Sequence, residues 1–232
     1  AYARRGFFEL IAVALLAGGL LFAVELVVAK RTRLYVGAAL TLALATLVIV
    51  VSAAYRMQLY QLAYGWTEQR FYALAGIAWL GAGGACAALL VWRDATRWLL
   101  HAGGLIALAV AIAVNLIGPS AFVARQNLER VVEPSSALPA DASRELDAQY
   151  LASLGDGAVP TLVQFLPRLG LGDRQALGSA LRTFVLEGRD LAPGPLPGSS
   201  FDRERARQAL AAAADELRTY PLLRAAPFQR RP

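Results

Sequence analysis

The 232-residue chain is 57% hydrophobic and only 17% charged, with a mean hydropathy of +0.46, which is too apolar and too sparsely charged for an ordinary soluble domain. The excess positive charge lies in the first half: residues 1–117 carry nine Lys or Arg against four acids, and the remainder carries fourteen Arg against thirteen acids. Basic residues flanking apolar runs point to membrane-bordering loops and away from nucleic acid, and a single Cys excludes an intrachain disulfide framework.

Four apolar runs occupy the first half, at about 6–28, 34–54, 71–92 and 98–117. Each approaches the ~20 residues that cross a bilayer core of ~30 Å as a helix. Arg4 and Arg5 precede the first run, Lys30, Arg31 and Arg33 follow it, and Arg93, Asp94 and Arg97 fill the third link. Tyr35, Phe71, Tyr72, Trp92 and Trp98 stand at run ends, where amphipathic rings favour the headgroup layer. The short links at 29–33 and 93–97 predict antiparallel hairpins. Gly83/Ala87 and Gly84/Ala88 have the small-xxx-small spacing of close helix packing. Arginines are balanced on the two sides, so charge assigns no orientation.

Within the first run Glu9 and Glu25 lie about 160° apart around a helix axis, which excludes a carboxylate dyad. Glu25 is the better candidate for function, as an ionisable group near a membrane boundary. The stretch 52–72, SAAYRMQLYQLAYGWTEQRFY, gathers polar and aromatic residues between the second and third runs. Ser52, Arg56, Tyr60 and Tyr64 recur every four residues and form one helical stripe. Gly65 suits a helix end, Thr67 suits the cap of the next helix, and Glu68 suits that helix's first turn. Arg70 then leads into the third crossing. This stretch is the strongest candidate for binding a lipid headgroup, a partner or the tail.

Beyond Pro119 the character changes. Residues 121–132 read as a short polar helix with Arg125 and Glu129 at i,i+4, and 133–140 as a linker. Leu146, Tyr150, Leu151 and Leu154 share one face of a helix over 141–154, and a second helix carries Pro160 in its first turn after a cap near Asp156. A shorter helix follows Asp173, then a loop over 192–200. Ser199 and Asp202 have capping-box spacing before a helix over 201–220.

YRMQLYQLAYGWTEQRFYALAGIAWL, AYARRGFFEL, VARQNLER and LDAQYLASLGDGAVPTL together resemble segments of bacterial multi-pass membrane proteins catalogued as domain of unknown function 4173, related to the 4153 group. The resemblance spans most of residues 1–170. It implies a membrane-helix bundle, with further hydrophobic segments upstream, and supplies no activity. Gly118-Pro119-Ser120 departs from the Asn-Pro-Asp run of that family. Arg125 and Asn127, in the third of the quoted segments, complete the candidate set.

The expectation is therefore an all-α chain: a four-helix transmembrane domain over 1–120, a juxtamembrane helix and linker over 121–140, and a soluble helical domain over 141–232. The expected setting is the bacterial inner (cytoplasmic) membrane. The lipid bilayer is the expected partner, with a protein partner at the C-terminal domain and no nucleic acid. No catalytic motif, metal-binding cluster or cofactor motif is recognised. These features favour a structural, regulatory or partner-binding role. The alternative is a transporter or channel component with a polar path near Glu25 and Arg56, including Asn115.

Overall fold

The computed structural model describes residues 16, 19, 32–133, 146–186 and 197–222. Among them the chain is helical throughout, with no strand. The helices are α1 (Arg33–Tyr64), α2 (Glu68–Trp92), α3 (Leu99–Ile117), α4 (Pro119–Val132), α5 (Ala148–Ser153), α6 (Val159–Phe165), α7 (Leu171–Leu186), α8 (Pro197–Ala212) and α9 (Ala214–Thr219), with 3-10 turns at Thr96–Trp98 and Leu166–Arg168. Two compact units result, one of residues 1–61 and 69–116, the other of 62–68 and 117–232.

The first unit is the membrane part. α1, α2 and the continuous Thr96–Ile117 segment are each long and apolar enough to cross a bilayer. The run at 6–28, with Glu9 and Glu25, lies outside the described residues apart from Leu16 and Gly19, so three of the four expected crossings are seen. α1 does not stop with its apolar run near 54 but continues unbroken for 32 residues. Nothing in YRMQLYQLAY breaks a helix, so it ends only at Gly65, whose φ of 76° a side-chain-bearing residue adopts at a cost. Close approach of α1 and α2 is made by glycine: a Cβ on Gly81 would stand 3.3 Å from Val50, and one on Gly84 would stand 3.3 Å from Leu47. Gly83 has no such neighbour within 4 Å, so of the two expected small-residue pairs only that of Gly84 has its glycine in a close interhelical contact. Thr32 caps α1 by accepting from the Tyr35 N–H at 3.2 Å.

The second unit is a water-type core. Leu128, Leu151, Leu162, Leu166, Leu177 and Leu181 are fully buried in it. α4, expected as a polar connector over 121–132, starts at Pro119 and belongs to this core: Val123, Ala124 and Leu128 are completely buried. Gly118, with φ 67°, turns the chain from α3 into α4, and Pro119 occupies the first helical turn. The cap of α6 is Ala158, and Pro160 lies in the first turn as its spacing predicts. Asp156 instead pairs with Arg203 of α8 at 3.3 Å, both largely shielded from solvent. The short helix expected after Asp173 is the 16-residue α7.

Two expectations for the C-terminal part are corrected. α8 begins at Pro197, four residues before the position predicted from Ser199 and Asp202, because proline's fixed φ already suits a first helical turn. The expected single helix over 201–220 is broken at Ala213, which leaves helical geometry at φ −98° and ψ 5°. The break turns Leu217 and Tyr220 into the core. There the Tyr220 ring packs so closely on Gly178 that a Cβ on that glycine would lie inside its contact distance.

Candidate functional site: the 62–68 turn and the arginine–tyrosine cluster

The turn between α1 and α2 belongs to the second unit and is held by backbone-directed polar side chains. Asn127 of α4 accepts from the Trp66 N–H at 2.9 Å and donates to the Trp66 carbonyl at 2.8 Å and to its own Val123 carbonyl at 3.0 Å. The Arg130 guanidinium donates to the Ala63 carbonyl at 3.0 Å, where α1 leaves its last carbonyls without helical partners and its dipole end is negative. At the other side of the turn, the Glu68 N–H donates to the Tyr150 hydroxyl at 3.0 Å, satisfying one of the orphan amides that open α2. The Trp66 ring meets Phe122 edge to face at 4.9 Å. Gly65 is required twice over: its φ is positive, and a Cβ would come to 2.7 Å from the Asn127 side-chain oxygen and 3.2 Å from the Arg130 guanidinium.

Thr67 immediately precedes α2 and is half-buried, and Tyr64 ends α1 with its side chain exposed. Arg125 points to solvent and pairs with Glu129 at 2.6 Å, as the i,i+4 spacing predicts. In the first unit, Arg70 of α2 stacks over the Tyr60 ring of α1 at 4.6 Å. Arg56 lies one turn before Tyr60 on the same face and is exposed. The structure thus divides the candidates. Asn127, Tyr64 and Thr67 belong with the turn, Arg70 pairs with Tyr60 apart from it, with Arg56 one helical turn before Tyr60, and Glu25 lies outside the described residues. Asn115 donates to the Ala111 carbonyl of its own helix at 2.8 Å. Near the start of α1, Thr32, Arg33, Val36, Val91, Trp92 and Asp94 line a shallow hollow of about 310 Å3.

Trp66, Phe122, Arg130 and Tyr150 were not singled out from sequence. Two cues were present: Asn127 and Tyr150 are polar groups within amphipathic helices, and such groups seek partners when partly buried. A family model matches residues 1–165, from the first apolar run through α6. The chain belongs to the family described as Domain of unknown function (DUF4153). The sequence resemblance is to the 4173 family, with the 4153 group as its relative; the match is to the 4153 group. The DUF4153 match includes every residue that holds the 62–68 turn and ends before α7, α8 and α9. Searches of curated proteins and of solved structures returned no match. With its three spanning helices the chain is a multi-pass membrane protein of a family without an assigned activity.

Proposed function

We propose that this DUF4153 protein is a structural or regulatory component of the bacterial inner (cytoplasmic) membrane. In this reading its extramembrane helical unit holds the 62–68 turn and offers a surface to a protein partner. The observation that supports it is the direction of the polar side chains: Asn127, Arg130 and Tyr150 are aimed at the backbone of Ala63, Trp66 and Glu68. Groups used this way fix a conformation. Leu171 and Phe201, exposed at 88% and 64%, are large apolar groups of the kind partner surfaces display.

The test is site-specific photo-crosslinking from position 201 in native membranes. The expected result is a discrete protein adduct that survives Arg97→Ala and is lost in Asn127→Leu, with membrane insertion unchanged. Solute or ion flux through proteoliposomes that depends on Glu25 and Arg56, with no adduct, would establish the transporter reading instead.

A further inference from the structure

α1 is longer than a hydrocarbon core requires. Its 32 residues rise ~48 Å, against ~30 Å for the core and ~40–45 Å with the headgroups. Counting the ~20 residues of a crossing forward from Arg33 reaches Ser52, and counting them back from Trp92 along α2 reaches Ala73. Arg56, Tyr60 and Arg70 fall beyond both limits, on the same side, at headgroup depth. Tyr55 and Tyr72 are exposed at 62% and 54%, as phenol rings in that layer would be.

The chemistry of the cluster is cationic. The stretch 52–72 contains two arginines and one acid, Glu68. Arg56 is exposed, and among the described residues no carboxylate or carbonyl accepts from it. Arg70 is oriented by its stacking over Tyr60.

We propose that Arg56, Tyr60 and Arg70 form a binding site for the phosphate of an anionic phospholipid headgroup. A guanidinium fork matches two phosphate oxygens. The Tyr60 ring positions Arg70. An acidic helix of a partner protein is the competing occupant, but the two cations lie at the depth of lipid phosphate, where anionic headgroups are abundant. The inference rests on the membrane assignment and not on a protein partner, so it can fail without affecting the proposed function.

The experiment is native mass spectrometry of the full chain in detergent. It is titrated with phosphatidylglycerol, with phosphatidylcholine of the same acyl chains, and with free glycerol phosphate. Phosphatidylglycerol is expected to be retained over phosphatidylcholine, and glycerol phosphate is not. Arg56→Gln and Arg70→Gln should each weaken retention about five-fold, and Arg218→Gln, an exposed charge of the second unit, should leave it unchanged. Equal retention of the two lipids, equal binding of glycerol phosphate, or indifference to both substitutions would overturn the proposal. Should the variants fail to assemble, the wild-type protein decides: retention must fall as salt is raised, and salt-independent retention would also overturn it.

Discussion

In α1, 32 residues bury only Ala39, Ala43, Val50 and Gln61, and in the 19-residue α3 nothing is buried, whereas the 14-residue α4 buries Val123, Ala124 and Leu128 completely. The apolar side chains are of the same kinds, Leu, Val and Ala, and the solvent differs. In water, burying leucine is favourable by ~1.5–3 kcal/mol per side chain, so the second unit gathers Leu128, Leu151, Leu162 and Leu177 into one core. In lipid, leucine gains nothing by leaving the hydrocarbon, and helix contacts depend on small residues such as Gly81 and Gly84 that admit close packing. Polar groups follow the same division. The 62–68 turn has its backbone satisfied by Asn127, Arg130 and Tyr150, whereas Arg56 faces outward.

The sharpest way to break this contrast is to truncate one leucine in each unit. Leu162→Ala should destabilise the second unit by ~2–5 kcal/mol, read by denaturant unfolding followed by circular dichroism. Leu105→Ala, on the lipid-type surface of α3, should stay within ~0.5 kcal/mol. Comparable losses at the two sites would mean that α3 packs against protein.

A smaller effect tests the turn. Gly65→Ala must adopt a positive φ and displace Asn127, and should cost about 1–3 kcal/mol. Hydrogen exchange of the 62–68 amides should accelerate while that of mid-membrane α2 does not. Unchanged exchange at Trp66 and Glu68 would show that the side-chain grip is not what protects them.

The smallest effect concerns acid. Arg174 donates to Glu216 at 2.5 Å and to the Tyr220 hydroxyl at 2.9 Å, and Tyr220 donates to Glu216 at 2.9 Å. The hydrogen bond from Arg174, then that from Tyr220, holds the Glu216 carboxyl below its ordinary value, while burial pushes the Tyr220 phenol up. A depressed carboxylate stabilises the fold above its ordinary pKa, and that contribution is lost as pH falls through the lower folded value. Wild-type stability should therefore decline across the acid range below the ordinary carboxylate value, and Glu216→Gln should flatten that part of the profile. The pair is more than a third exposed, so solvent screening keeps the effect small. An unchanged acid limb in Glu216→Gln would assign the decline to other carboxylates.

Much of the architecture is written locally. Apolar runs of crossing length mark α1, α2 and α3, because hydropathy over ~20 residues is itself the physical requirement for crossing. Gly65 marks the end of α1, where φ turns positive, since glycine adopts that region without the steric cost a side chain brings. Leu162, Leu166 and Leu169 recur at helical spacing and lie in the second unit's core, with Val163 packed against it. The pairing of Asn127 with Trp66 was not legible, because those residues are 61 positions apart and their distance depends on how α4 packs. The same holds for Tyr150 on Glu68, 82 positions apart, and for the stacking of Arg70 over Tyr60. By itself, then, the sequence determined that the chain is helical, where it crosses the membrane and where it turns. Only the tertiary structure decided that α4 is core, that the 52–72 stretch divides after Gln61 and again after Glu68 between two units, and which side chains hold the turn. Hydropathy and backbone freedom are properties of neighbouring residues, whereas a hydrogen bond across 61 residues is a property of the packed chain.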